Sequence, residues 1–459
     1  MLIADKFTHQ IRACVGQENV LTEKTDCWVY GYDNSRRQAS PDLVVFATET
    51  SQVKNIIDLC HQYEIPLITR GRGTGTTGAT VPVSGGLILS LERMDKILKI
   101  DPANRYLIAQ PGVTNQAIQQ AAAQHGFFWP PDPTSSEFCT LGGNLAYNSA
   151  GPRAVKYGTP RENTLGLRAV IGTGEEIHTG VCTTKGVVGY DLTRLLIGSE
   201  GTLAVITEAT LKLTPLPEVT HSLKAVYRDI QNAAKAVSAI MAQPVTPSSL
   251  EFIDKASINM IREYSDIEMP VADAILMIEI DGNRSGMEDS IQSIKCAATN
   301  DGLLSIEDAE NEQERQSLWR TRKALSPALR KIAPKKINED IVVPVSNIPA
   351  LLEGLEHLSE QHGIAIVNFG HAGNGNIHVN LLIDPDKDDQ LQEAEICLGH
   401  VFDLVLSLDG TLSGEHGVGL EKRNFIDREI DPVTLGLMKK IKQQFDPKNI
   451  LNPGKTLPE

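Results

Sequence analysis

Two histidines seven residues apart, His371 and His378, flank the run Ala-Gly-Asn-Gly-Asn-Ile. On one straight strand, residues at that spacing face opposite sides, and on one helix they lie about 10.5 Å apart along the axis at 1.5 Å per residue. Neither arrangement lets the two imidazoles meet. The glycines resolve this. Gly373 and Gly375 permit positive φ, so Ile364 to Phe369 is expected to fold back against Ile377 to Ile383 as a hairpin that brings both rings together.

A second cluster, Gly414-Glu-His-Gly417, sets a carboxylate beside an imidazole between glycines. In extended backbone, neighbouring side chains point to opposite faces, so Glu415 can join the two histidines while His416 faces elsewhere. Two imidazoles and one carboxylate suit a divalent metal and leave a coordination position for a ligand. His371, His378 and Glu415 are therefore the expected metal ligands. Zinc, iron and manganese each accept two nitrogens and an oxygen, and the sequence does not choose among them.

A chain of 459 residues holds two to three domains' worth of core, and 41% hydrophobic with 22% charged residues is ordinary for a globular chain. The net charge of −15 argues against nucleic acid or an anionic membrane as partner. Seven cysteines, an odd number without CxxC spacing, indicate neither a disulfide framework nor a structural zinc or iron–sulfur module, and imply a reducing compartment. The N-terminus has no basic stretch followed by a long apolar one, and no apolar run reaches the roughly 18 residues of a membrane span. The expected location is cytoplasmic, or peripheral to a membrane.

Near the N-terminal side, Pro66-Leu-Ile-Thr-Arg-Gly-Arg-Gly-Thr-Gly-Thr-Thr-Gly78 contains a formal GxGxxG. A Rossmann loop would have to open a helix, whereas turns and then Leu87-Ile-Leu-Ser-Leu follow here, so the loop is expected to join two strands. Backbone amides of such a loop can still cradle a pyrophosphate, because without β-carbons the chain approaches the phosphates closely. The stretches Pro130 to Ser136, Thr140-Leu-Gly-Gly-Asn144 through Gly151, and Leu195 to Thr207 with its Gly198-Ser-Glu-Gly-Thr202 turn are likewise rich in small residues and hydroxyls.

Taken together, Arg70 to Gly78, Pro131 to Thr134, Gly142 to Asn144 and Gly198 to Thr202 resemble the FAD-binding domain of the vanillyl-alcohol oxidase and p-cresol methylhydroxylase superfamily. With the GHxGxGNxH and GEHG motifs, the chain resembles the branch that holds glycolate oxidase, D-lactate dehydrogenase and D-2-hydroxyglutarate dehydrogenase. The resemblance implies an α+β fold: a two-subdomain FAD-binding domain of the p-cresol methylhydroxylase type over residues 1–216, an antiparallel-sheet cap over 217–410, and a segment 411–459 that returns to the FAD domain. It implies FAD contacts at Arg70, Gly71, Gly73, Thr74, Gly75, Thr76, Gly78, Pro133, Thr134, Gly142, Gly143, Asn144, Gly151, Glu200, Gly201, Val205, Ile206 and Asn452, with Lys455 nearby. The glycine loop carries no histidine, so the flavin is expected to be noncovalent.

In the cap, Ser317 to Ser326 reads as helix, and Arg322 and Ser326, four apart, share one face. Arginine offers the two-pronged donor that a carboxylate needs, and the resemblance makes Arg322 the substrate arginine because it follows Leu318-Trp319. In the hydroxyglutarate branch a lysine holds the distal carboxylate; the matching position here is Asn338, and Lys336, two residues away, would reach the site only through a slip of register. That departure favours a substrate with one carboxylate. Asn380 shares the His378 strand face and can orient the substrate, and His416 is the expected general base, since imidazole titrates near neutral pH.

The implied activity is FAD-dependent oxidation of a small D-2-hydroxy acid, D-lactate or glycolate ahead of D-2-hydroxyglutarate, with electrons passing to an external acceptor: a quinone, an electron-transfer flavoprotein or a cytochrome. A metal-dependent hydrolase and a noncatalytic flavin subunit are the other readings. A homodimer and additional partner subunits both stay open.

Overall fold

In the computed structural model, residues 5–264, 267, 269–309, 311–332, 335–384 and 387–458 are described. The chain forms two units, one made of residues 1–150, 158–216 and 415–459, the other of 151–157 and 217–414.

The first unit holds two main sheets. In the four-stranded one the order is Val20–Leu21, Leu43–Phe46, Leu87–Ser90, Leu67–Arg70, with the last three parallel. Leu43-Val-Val-Phe46 is buried at every position, as a parallel strand covered on both faces must be. Helix Thr50–Tyr63 places Val53, Ile56, Ile57 and Cys60 at helical spacing on one stripe, and all four are fully buried in the core against the sheet. The glycine-rich segment runs from Leu67–Arg70 to Leu87–Ser90 without a helix between them, so the strand-to-strand expectation holds. The far edge is closed by the C-terminal tail: Leu67 N–H donates to Ile450 O at 2.7 Å and Asn452 N–H to Leu67 O at 2.8 Å. Pairing that edge removes a row of exposed backbone groups.

The second sheet of this unit is antiparallel and five-stranded, in the order Ile97–Asp101, Tyr106–Ala109, Ala204–Lys212, Thr164–Ile171, Glu176–Gly180. Trp129 is wholly buried in its core, with the indole Nε1–H donating to Asn163 O at 3.0 Å. Strand alternation in Ala204–Lys212 sends Ala204 and Ile206 into this core and Val205 into that of the parallel sheet.

The second unit is built on a seven-stranded, wholly antiparallel sheet, ordered Leu303–Asp308, Val219–Tyr227, Ala274–Gly282, Ser249–Asp254, Ala365–His371, Asn376–Ile383, Lys335–Val342. This agrees with the expected cap sheet. Helices Lys255–Tyr264 and Glu312–Ile332 pack on each other and cover the face formed by Val226, Ile253, Ile275, Met277, Val367 and Phe369. Every residue of the central strand Ser249–Asp254 is buried, two carboxylates included.

Candidate functional site

The expected hairpin forms. Ala365–His371 pairs with Asn376–Ile383 in the register Phe369↔His378 and His371↔Asn376, so both histidines and Phe369 share one face. Their rings meet edge to face, with centroids 5.2 Å apart and planes at 82°. The turn differs from expectation in one respect. Gly375 is left-handed at φ 74°, whereas Gly373 lies in a short 3-10 turn and owes its identity to crowding: a Cβ there would stand 2.6 Å from Val155 Cγ2.

The second motif reaches the hairpin through Asp340, which is fully buried and pairs with His378. Gly414 N–H donates to Asp340 O at 3.1 Å and to its Oδ2 at 3.0 Å, and Ser413 Oγ is 3.2 Å from Oδ1. Glu415 follows directly in the chain. The ligand atoms of His371, His378 and Glu415 lie within 4.8 Å of one another, which suits a donor set for one divalent cation.

Beside the histidines, Arg322 projects from helix Glu312–Ile332 with its guanidinium 4.9 Å from the Phe369 ring centroid. Ser326 lies on the same helix, but its side chain falls outside the described residues. Arg322 Nε–H donates to Glu251 Oε2 at 2.6 Å, and Glu251 Oε1 lies 2.6 Å from His371 Nδ1. Glu251 has no solvent exposure. Burial would raise its carboxyl, but His371 and Arg322 together outweigh that and hold it below the usual range. Three residues earlier on the helix, Trp319 Nε1–H donates to Glu279 Oε2 at 3.0 Å, a second anchor on a strand carboxylate.

Asn380 is fully buried, and its Nδ2 donates to Val367 O at 3.2 Å. Lys336 Nζ donates to its Oδ1 at 2.8 Å. No slip of register is involved, because Lys336 pairs with Leu382 and Asn338 with Asn380. The expectation that Lys336 is out of reach is thus corrected: its flexible stem spans the diagonal between neighbouring strands.

In the first unit, the glycine-rich segments line a cleft open to solvent. Its walls include Gly71, Gly142, Gly143, Glu200, Gly201 and Ile206 of the expected contacts, together with Thr140 and Tyr147, which lie in a segment the sequence singled out but were not among the expected contacts, and Pro111, which lies outside every such segment. The glycines let three segments close on one another. A Cβ at Gly71 would lie 2.4 Å from Thr140 Oγ1, one at Gly75 2.5 Å from Tyr147 Oη, and one at Gly142 2.8 Å from Pro111 Cβ. Such a narrow cleft between backbone walls fits a flat ring and a phosphate chain.

Several other expected contacts serve the walls. Asn144 Oδ1 accepts from Asn115 Nδ2 at 3.1 Å. Glu200 takes the amides of Val418 at 2.6 Å and Gly419 at 2.8 Å on its two carboxylate oxygens. Burial pushes its carboxyl up. Asn452 Nδ2 donates to Glu200 O at 2.8 Å, and Lys455 Nζ to Val81 O at 2.8 Å. Val205 turns its side chain away from the cleft, as alternation requires once Ile206 lines it. The half-buried His416 sits in the segment held by Glu200, where a Cβ at Gly417 would lie 2.6 Å from Glu200 Oε1.

Fold and site define an FAD-linked oxidoreductase. The chain belongs to the FAD-linked oxidases: residues 216–456 match the family "FAD linked oxidases, C-terminal domain", and residues 41–180 match "FAD binding domain". It is 37% identical over 456 residues to glycolate oxidase subunit GlcD of Bacillus subtilis, covering 99% of this chain and 97% of that one. It is 31% identical to the probable mitochondrial D-lactate dehydrogenase of Danio rerio, covering 99% and 92%. Among solved structures, p-cresol methylhydroxylase with substrate bound superposes with a TM-score of 0.81 at 18% identity, covering 99% and 97%, a likeness of fold alone. The resemblance found in the motifs and the α+β architecture are thereby borne out, and the hydrolase reading falls away. Among the described residues no helix is long and apolar enough to cross a membrane.

Proposed function

We propose that this protein oxidises a small D-2-hydroxy acid to the 2-oxo acid, with a divalent cation at His371, His378 and Glu415. The observation that carries the reading is that those three ligand atoms lie within 4.8 Å of one another, two of them on a hairpin whose Phe369 also lies beside Arg322. The names of the relatives, glycolate oxidase subunit and D-lactate dehydrogenase, support the same substrate class.

Arg322 fixes the substrate carboxylate by charge-assisted hydrogen bonds. His416 removes the hydroxyl proton onto a ring nitrogen, while the Cα hydrogen departs with its electron pair and the carbonyl bond forms. FAD, if bound among Gly71, Gly142, Gly143 and Gly201 of the first unit's cleft, would supply the acceptor for that hydrogen and its electron pair. A divalent cation, when bound, supplies Lewis acidity that favours loss of the hydroxyl proton. Asn380, with its amide committed to Val367 and Lys336, holds the strand that carries His378. Electrons leave to an external acceptor: a quinone, an electron-transfer flavoprotein or a cytochrome.

A second reading, D-2-hydroxyglutarate as substrate, gains support from Lys336, whose ammonium donates to Asn380 Oδ1 and is of the charge that a second carboxylate would need. Anaerobic flavin reduction by a panel of D- and L-2-hydroxy acids tests both readings without knowledge of the acceptor. Bleaching by D-lactate or glycolate supports the first, bleaching by D-2-hydroxyglutarate alone the second, and bleaching by none overturns both.

A further inference from the structure

Glu251 is a carboxylate where burial is costly. It stands mid-strand between Leu250 and Phe252, without solvent exposure, where an unpaired charge would be strongly unfavourable. Its two oxygens are divided between two functional groups, Oε1 to His371 Nδ1 and Oε2 to Arg322 Nε, each at 2.6 Å. The partners lie 120 and 71 residues away along the chain.

Each bond settles a choice that its partner could otherwise make two ways. A neutral imidazole carries its hydrogen on either nitrogen, and the group facing one nitrogen decides what the other presents. A carboxylate only accepts, so Oε1 draws the hydrogen to Nδ1 and leaves the Nε2 lone pair as the donor atom for a cation. An arginine can grip a carboxylate through its Nε–Nη edge or through its Nη1–Nη2 end. With Nε engaged by Oε2, the Nη1–Nη2 end is the one left to grip a ligand, and the guanidinium carbon lies 4.9 Å from the Phe369 ring centroid.

We propose that Glu251 is a positioning residue that sets the His371 tautomer for the cation and the Arg322 presentation for the substrate carboxylate at once. The inference rests on the function proposed above and deepens it: metal affinity and substrate affinity are coupled through one buried side chain. Glutamine cannot replace it, because its single oxygen can take only one of the two positions held by Oε1 and Oε2, and the NH2 in the other position faces a second donor. Either Arg322 Nε–H loses its acceptor, or His371 must accept at Nδ1 and carry its hydrogen on Nε2, where it blocks a cation.

The test uses full-length, FAD-loaded protein stripped with chelator and then titrated with zinc or manganese by calorimetry, alongside steady-state kinetics with D-lactate or whichever acid bleaches the wild type. For Glu251→Gln the metal Kd is expected to weaken about 10- to 100-fold, with KM raised and the FAD content unchanged. Wild-type metal affinity and KM in this variant, even with lowered thermal stability, would mean that Glu251 is structural only and would overturn the inference. If Glu251→Gln does not fold, Glu251→Asp keeps the charge but is one methylene too short to span both partners. It should raise the metal Kd or the KM at least about tenfold, and no change in either contradicts the proposal. Failure of the wild type itself to bind metal or to be bleached sinks the parent reading instead, so the two failures are separable.

Discussion

Gly375 packs so closely beneath Val343 that a Cβ would sit 1.9 Å from the Val343 carbonyl oxygen, and its φ of 74° is a conformation other residues resist. Both constraints act at the turn that brings His371 and His378 together. Gly375→Ala is therefore expected to destabilise the protein by at least about 1–3 kcal/mol, combining left-handed backbone strain with a backbone clash. Urea unfolding with a parallel metal titration checks this. A wild-type midpoint with wild-type metal affinity would mean that the hairpin tolerates another turn.

Arg322→Ala should raise the KM for the hydroxy acid about 100-fold while the protein stays yellow, because a charge-assisted bidentate contact contributes about 2–3 kcal/mol and the flavin cleft is built from other segments. Steady-state kinetics with the bound-flavin ratio measured on the same samples decides it. Unchanged KM would place the substrate carboxylate elsewhere.

Gly71→Val tests the flavin cleft. With 2.4 Å between a Cβ at residue 71 and Thr140 Oγ1, a branched side chain must push its way into the space among Thr140, Gly142 and Gly143. The variant is expected to purify with less than about a tenth of the wild-type flavin on the scale of overpacking costs. Full flavin content in a folded variant would contradict this assignment of the cleft.

Asp254 gives a pH signature. Burial pushes its carboxyl up to about 6, although Ser257 N–H at 2.7 Å and Asn368 N–H at 2.6 Å both donate to it. Between the ordinary value near 3.8 and about 6, the folded protein binds more protons at this site than the unfolded chain. Its contribution to stability is thus complete below pH 4 and is lost as pH rises through 6, a swing of up to about 3 kcal/mol. Asp254→Asn does not titrate, so its stability relative to wild type should improve by that order from pH 4 to 7. Urea midpoints that run parallel over this range would show that the carboxyl is not perturbed.

The sequence disclosed the parts of the site whose partners are local. The Ala-Gly-Asn-Gly-Asn run predicts the His371–His378 hairpin, and the absence of a helix signal after Gly78 predicts a loop between strands, because turn chemistry and periodicity are properties of adjacent residues. Glu251 was invisible for the opposite reason. In Ser-Leu-Glu-Phe-Ile-Asp a lone glutamate reads as a solvated position on a half-exposed strand, and only partners 71 and 120 residues away reveal it as buried. An acid set directly between Leu250 and Phe252 was the available signal. Lys336 was missed because strand register fixes Cα partners, whereas a long side chain reaches diagonally to Asn380. Gly373 was misjudged because a glycine required by a neighbour's bulk looks, in sequence, the same as one required by a turn.

Anaerobic spectra of flavin-loaded wild type and His371→Ala, each mixed with the hydroxy acid that serves as substrate, bear on the whole proposal at once. The wild type should bleach within its turnover time, and the variant should keep its flavin yet stay oxidised. Bleaching of His371→Ala at the wild-type rate would contradict a metal-assisted oxidation at this hairpin.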